Sequence, residues 1–339
     1  MAADDESGPE LARGPRDALA GLPGAPPDGV RRPVILDCDP GHDDALAIVL
    51  ACASPGLDVL GITTVGGNAG LANTTRNALR ILTLIGRTDL PVAAGADRPL
   101  VRTPLVQPLF HGESGLDGAE LPEMTIAARP ETAIELTASL VRAAALPVTL
   151  VPTGPLTNIA LFLRAFPALR GSIGAISLMG GSLGVGNTTA SAEFNIWQDP
   201  EAAAIVFDAG IPILMAGLDV THQALVLPPD IARLEGLGTR TGRVFADLMR
   251  FFAIHHRNRY GWAGPPIHDA VAVGVLVAPW LIERRTMRID IETGDGVSRG
   301  RTVGDEEGVA GRPPNAEVEV ALSREAFLDL VIDAVARFP

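Results

Sequence analysis

Lysine is absent from all 339 residues, tyrosine occurs once, cysteine twice, and aromatic residues make up only 4%. With no lysine, each of the 27 basic side chains is an arginine, so charge-assisted contacts are planar and fork-shaped. Cys38 and Cys52 cannot supply a disulfide framework for a chain of this size. They read as small buried hydrophobes, and a reducing compartment, the cytoplasm, is expected. No apolar run reaches the roughly 18 residues of a membrane span, which excludes an integral membrane protein. Positive charge is also scarce: 40 acidic groups outweigh 27 basic ones, for a net charge of −13. That balance repels phosphate backbones, and no basic stripe with interleaved aromatics is present, so nucleic acid is not an expected partner. Excess acid suits cation binding where carboxylates converge, although solubility accounts for most of it.

A chain this long buries about three quarters of the surface its unfolded form exposes, enough for a core without staples. Residues 1–32 carry Asp4, Asp5 and Glu6, then Gly, Pro, Ala and Arg. They lack the apolar stretch of about 7–15 residues found in a secretory leader, and a disordered extension is expected there. From Pro33 to the C-terminus the texture is that of a single α/β domain. Short apolar, β-branched runs recur at Val34–Leu36, Asp58–Val65, Pro91–Ala94, Val148–Val151, Ala175–Met179 and Ile211–Ala216. Helical patterns separate them, and two, starting at Pro155 and Pro200, place proline in the first turn, where the missing N–H costs nothing. Alternation of this kind predicts βαβ units: a mostly parallel central sheet, Rossmann-like in its core, with helices on both faces. The later chain reads as helices at Asp230–Glu235, Arg240–Arg257 and from His268, an irregular hairpin over Thr286–Gly311, a strand at Glu317–Leu322 and a closing helix at Arg324–Phe338. The loop from Asp97 to Arg129 is long for a compact domain, and its His111-Gly112-Glu113-Ser114-Gly115 centre favours a lid.

Open parallel sheets bind ligands beyond the carboxyl ends of their strands. Polar residues and glycines gather at those ends: Asp37, Asp39, Asp43 and Asp44 after the first run, Gly66-Gly67-Asn68 after the second, then Thr153-Gly154 and Met179-Gly180-Gly181. Asn187, Glu193 and Asn195 follow. Four carboxylates packed into Asp37-Cys38-Asp39-Pro40-Gly41-His42-Asp43-Asp44 would repel and raise one another's pKa unless a cation held them. All-oxygen ligands point to a hard ion, Ca²⁺ or Mg²⁺. The plainer reading is that Asp43 and Asp44 favour a helix N-terminus while Asp37 and Asp39 bond the turn. His268-Asp269 likewise reads either as an acid and a metal ligand or as a helix cap. His42, His222, His255 and His256 are each weak signals alone.

The run from Asp37 to Ala45 resembles the aspartate-cluster signature of nucleoside hydrolases, the inosine–uridine-preferring ribohydrolases. In the same order come Thr63-Thr64-Val65-Gly66-Gly67-Asn68, His111-Gly112-Glu113-Ser114-Gly115, Pro152-Thr153-Gly154-Pro155-Leu156-Thr157-Asn158, Met179-Gly180-Gly181, Ala192-Glu193-Phe194-Asn195, Gly217-Leu218-Asp219-Val220-Thr221-His222 and His268-Asp269. The resemblance implies a Ca²⁺-dependent hydrolase that splits ribonucleosides into ribose and free base. It implies that Asp39, Asp44, the Thr153 carbonyl and Asp269 hold the ion. Asp39 would also be the base for a metal-bound water, and His268 would protonate or orient the leaving base. Asp43, Asn68, Asn187, Glu193 and Asn195 would bond ribose hydroxyls, with Met179 and His111 lining the pocket. Where purine-favouring or broad members carry tyrosines before the catalytic His, this chain has Phe251-Phe252-Ala253-Ile254-His255-His256. Phe251 is therefore expected to stack on the base and His255 to donate a proton. A homodimer or homotetramer is the expected assembly.

Two other readings fit parts of the pattern. An Asp-x-Asp strand end also suits Mg²⁺-dependent aspartyl phosphatases, but the missing lysine and the following Pro-Gly-x-Asp-Asp do not. A nucleoside- or ribose-binding protein without turnover would keep the pocket, yet every expected catalytic residue is present.

Overall fold

The computed structural model describes residues 19–105 and 108–339. Nine strands form one sheet: β1 Arg32–Cys38, β2 Leu57–Thr64, β3 Val92–Ala94, β4 Val148–Pro152, β5 Ile173–Met179, β6 Ile213–Ala216, β7 Ile282–Ile291, β8 Thr302–Asp305 and β9 Ala316–Leu322. Their spatial order is β3-β2-β1-β4-β5-β6-β9-β7-β8. The first seven neighbours run parallel, whereas β7 pairs antiparallel with both β9 and β8. The expected irregular hairpin is thus the β7–β8 edge. Helices on the chain are α1 His42–Ala53, α2 Leu71–Leu84, α3 Pro108–His111, α4 Ala133–Ala143, α5 Thr157–Ala165, α6 Phe194–Gln198, α7 Pro200–Phe207, α8 Leu218–Thr221, α9 Pro228–Gly236, α10 Arg240–Tyr260, α11 His268–Val277 and α12 Arg324–Val335.

Period-two alternation along the strands divides the core into two layers. Val34, Leu36 and Cys38 of β1 pack into the layer with α1, α2, α10, α11 and α12, while Ile35 packs opposite, with α5 and α7. The chain leaves β1 for β2 and β3 on one side and returns to β4 on the other, so strand order reverses between β1 and β4. Carboxyl ends diverge at such a switch point and leave a crevice. Asp39 and Thr153, the first residues beyond these two strands, stand at its edge.

Residues 19–31 depart from the expected disordered extension; residues 1–18 lie outside the described part. Leu22 is buried in the core, and the Arg32 guanidinium donates to the Pro23 carbonyl at 2.9 Å, tying this segment to the sheet. Cys38 is buried as expected, but Cys52 is only half-buried.

Glu319 on β9 is fully buried, and neither carboxylate oxygen has a hydrogen-bond partner. Its nearest cationic neighbour, Arg284, bonds Glu317 instead, at 2.8 Å. Burial raises the Glu319 pKa to about 8. A carboxyl favoured as the neutral acid in the fold destabilises progressively as pH rises from the ordinary carboxylate range to that raised value, and the loss levels off above it. Glu319→Met, close in volume and uncharged, should gain on the order of 1–4 kcal/mol at pH 9 and little near pH 4.5. Urea unfolding at the two pH values checks this; equal gains at both would contradict it.

Candidate active site

Two helices begin at the crevice, and each brings acid in its first turn: Asp43 and Asp44 on α1, Asp269 on α11. Helix N-termini favour negative charge, which partly explains the crowding. Oxygens of these three buried carboxylates lie within 4.8 Å of one another. Asp44 is bonded on both sides: its Oδ2 accepts the Gly41 amide at 2.9 Å and its Oδ1 the Thr153 hydroxyl at 2.7 Å. Asp43 Oδ1, Asp269 Oδ2 and Asp39 Oδ1 are buried without any partner. Burial and the neighbouring acids push these groups up: Asp43 to about 8, with Asp39, Asp44 and Asp269 also raised. Unpartnered anionic oxygens in a dry site are costly unless a positive group meets them. The donor set, oxygen throughout, fits a hard divalent cation.

Asp39 is set slightly apart from that trio. Its Oδ2 accepts the Asn68 amide at 2.6 Å, and glycines make room for it on both sides. A Cβ on Gly67 would collide with Oδ2, and one on Gly154 would come within 2.7 Å of Oδ1. Behind it, Asp37 Oδ1 accepts from Thr63 Oγ1 at 2.6 Å and Asn158 Nδ2 at 2.7 Å, bracing β1 against β2 and α5.

Above the acids opens a cavity of about 270 Å³. One wall carries amides. Asn195 Nδ2 donates to the Thr153 carbonyl at 2.8 Å and to the Met179 carbonyl at 3.2 Å, linking the ends of β4 and β5. Glu193 caps α6: one oxygen accepts the Asn195 amide at 2.9 Å and the other the Gly181 amide at 2.9 Å and the Ile196 amide at 3.1 Å. Burial outweighs those donors and raises Glu193 to about 7. Asn68 and Asn187 also face the cavity.

The far end is aromatic. Tyr260 and Trp262 stack with centroids 4.8 Å apart, Trp262 stacks over His256 at 5.9 Å, and His222 meets Trp262 edge-on at 4.9 Å. Between acids and aromatics stands His268, its Nδ1 2.7 Å from Thr221 Oγ1. Burial, with His222 and His256 nearby, holds its pKa well below the usual imidazole value, so it is neutral at pH 7.

The chain that builds this acid-floored cavity matches known proteins over most of its length. The family model described as "Inosine-uridine preferring nucleoside hydrolase" matches residues 34–329. The chain belongs to that family. Among curated relatives, the pyrimidine-specific ribonucleoside hydrolase RihA of Shewanella woodyi is 48% identical over 91% of this chain and 99% of its own. RihA of Escherichia coli O8 is 49% identical over 89% of this chain and 97% of its own. A solved purine-preferring ribonucleoside hydrolase from Gardnerella vaginalis superposes with a TM-score of 0.85 at 34% identity, covering 90% of this chain and 98% of that one. This chain is a nucleoside hydrolase, an enzyme that acts on ribonucleosides, with the α/β fold of its relatives. Among the described residues no helix is long and apolar enough to cross a membrane.

In this nucleoside hydrolase Asp43, Asn68, His111, Thr153, Met179, Asn187, Glu193, Asn195, His268 and Asp269 all line the one cavity, while Asp39 and Asp44 sit fully buried behind its wall. The converging trio sets Asp43 beside the expected Asp44 and Asp269, and Asp39 nearby keeps its Oδ1 unpartnered. Two expectations need correction. Phe251 stacks on His42 rather than facing the cavity, and His255 packs against Phe110. Phe252 and His256 take the cavity side. Their reason is helical phase: Phe245, Met249, Phe252 and His256 continue one buried stripe of α10, and its last turns become the cavity wall. Tyr260, Trp262 and His222 were missed as cavity residues. The i, i+4, i+8 spacing of Phe252, His256 and Tyr260 was the available signal.

Proposed function

We propose that this nucleoside hydrolase cleaves the N-glycosidic bond of ribonucleosides with Ca²⁺ as cofactor, with pyrimidine ribonucleosides, the substrates named for its curated relatives, as its preferred class. The observation that carries the reading is the set of buried, unpartnered carboxylate oxygens beneath an amide-lined cavity. Asp44, Asp269 and the Thr153 carbonyl would hold the ion together with Asp39, and Asp43 stands close enough to share it or to face the sugar. Once bound, such a cation lowers the pKa of a water and orients the sugar diol.

Asp39 serves as base and takes the proton of the attacking water on its free Oδ1. Loss of the base leaves positive charge on the sugar ring, which the carboxylates below stabilise. Asp43, Asn68, Asn187, Glu193 and Asn195 hold the hydroxyls and fix the ring against that floor. At the other end negative charge grows on the departing base. With the Thr221 hydroxyl as donor to His268 Nδ1, the imidazole proton would sit on Nε2 and be offered to the base.

Reducing-sugar release from a nucleoside panel, with and without chelator, tests this directly. Uridine and cytidine should turn over and stop with the ion removed. A site built to bond hydroxyls rejects substrates lacking them, so 2′-deoxyuridine should lose at least about 100-fold in kcat/KM. Equal activity on uridine and 2′-deoxyuridine, or turnover indifferent to chelator, would refute the reading.

A further inference from the structure

We propose that Thr302 is a positioning residue for ribonucleoside hydrolysis: from the sheet edge its hydroxyl fixes the backbone of Ser182, and through it the loop that brings Asn187 to the cavity. Strand β5 ends at Met179, and each of the next five backbone amides finds a separate acceptor. Gly180 donates to the Ala216 carbonyl at 3.1 Å, the last bond to a neighbouring strand. Side chains take the other four. Glu193 Oε2 accepts the Gly181 amide at 2.9 Å and Thr302 Oγ1 that of Ser182 at 2.8 Å. Asp219 Oδ2 accepts the Leu183 amide at 2.7 Å and Ser182 Oγ that of Gly184 at 3.0 Å. Side chains thus hold the loop where a strand partner is missing.

Among these four, only Thr302 serves both backbone groups of one residue. Its Oγ1 accepts the Ser182 amide and donates its own hydrogen to the Ser182 carbonyl, so one hydroxyl stands in for a strand partner. Thr302 and Ser182 are both buried, and without the hydroxyl an N–H and a C=O would be stranded away from water. Ser182 passes the constraint on. Its own Oγ donates to the Val185 carbonyl at 2.7 Å, and Val185, Gly186 and Asn187 go on to form part of the cavity wall. Thr302 itself lies outside that wall.

The β7–β8 hairpin is built to bring this hydroxyl in. Gly300, Thr302 and Gly304 alternate along the chain and face the loop and α6, with Val303 exposed between the last two. A Cβ on Gly300 would come within 2.7 Å of Trp197 Cα, and one on Gly304 within 2.6 Å of Leu183 Cδ2. Gly181, at φ +79°, makes room from the loop side: a Cβ there would lie 2.6 Å from Thr302 Cγ2. Next to Gly300, the Arg299 guanidinium donates to Glu201 on α7 at 2.6 Å and ties the hairpin to the helical layer.

The effect on turnover rests on the proposed bond between Asn187 and a sugar hydroxyl; the clamp does not. Thr302→Val keeps the shape and removes the hydroxyl. Hydrogen exchange of the full-length protein without substrate, followed by mass spectrometry, should then speed up about tenfold or more over residues 180–192 and stay unchanged in α5. On uridine, kcat/KM should fall about tenfold or more, chiefly through KM. Thr302→Ser keeps the hydroxyl and should stay within about threefold of wild type in both measurements. With Asn187→Ala already in place, Thr302→Val should cost less than about threefold, because the route to the substrate is gone. Exchange or kcat/KM unchanged by Thr302→Val overturns the proposal. So does an equal loss in the two backgrounds, or Thr302→Ser behaving like Thr302→Val. Should Thr302→Val not fold, Thr302→Ala carries the same expectations, and fast exchange of the Ser182 amide in the wild-type protein would overturn the clamp. Wild-type protein that turns over no ribonucleoside, with exchange responding as expected, supports the clamp and overturns the activity instead.

Discussion

Asp39→Asn should leave the protein folded and lower kcat on a ribonucleoside by about 10²–10⁴, the range that removal of a positioned base costs. The amide is nearly isosteric and its oxygen can keep the 2.6 Å bond from the Asn68 amide, so the pocket between Gly67 and Gly154 is not disturbed. The ability to take a proton disappears, and with Ca²⁺ kept saturating the loss of one negative charge at the proposed ion is offset. Since that proton moves in the transition state, the loss should fall on kcat with KM little changed. Thermal stability should hold or rise, because burial and Asp44 already press the Asp39 carboxylate toward its neutral form. Circular dichroism, a melting curve and steady-state kinetics on uridine measure all three. Activity near wild type would remove the base assignment from Asp39.

The second large effect concerns the cation and pH together. Asp43 is raised to about 8, and Asp39, Asp44 and Asp269 are raised as well, first by burial and then by one another. Carboxylates with raised pKa values destabilise the fold increasingly as pH climbs from the ordinary carboxylate range through the raised values. Chelator-treated protein should therefore melt several degrees lower at pH 8.5 than at pH 5.5. A fixed Ca²⁺ concentration, a hundred times the Kd at pH 8.5, should add about 2.7 kcal/mol there and restore activity, and should add less at pH 5.5, where protons compete for the carboxylates. Taking the difference with and without Ca²⁺ at each pH cancels the separate contribution of Glu319. Melting curves and activity both indifferent to chelator and Ca²⁺ would sink the metal assignment.

Much of this was legible in the chain. Strands buried on both faces leave continuous apolar runs, so the sheet could be read from Val34–Leu36 onward, and polar residues at the run ends marked the rim. Four aspartates within eight positions announced a site because charge at that density needs a partner. What the sequence concealed was angular and lateral. Which carboxylate oxygen an amide takes up, as Asn68 takes Asp39 Oδ2, spacing cannot reveal. Neighbouring residues on a helix differ by about 100°, so Phe251 and Phe252 look alike in a string yet face different surroundings. The ordering of residues 19–31 depends on Leu22 finding a slot in a core built by distant strands.

The stripe on α10 ties two properties that are usually considered apart. Phe245 and Met249 belong to the packing, Phe252 and His256 to the aromatic end of the cavity, and all four lie on one helix. A substitution that overfills the slot at Met249 would roll the helix rather than stay local, swinging the cavity side chains with it. Selectivity toward the base can thus drift through changes remote from any ligand, and efforts to retune it have a handle deep in the interior.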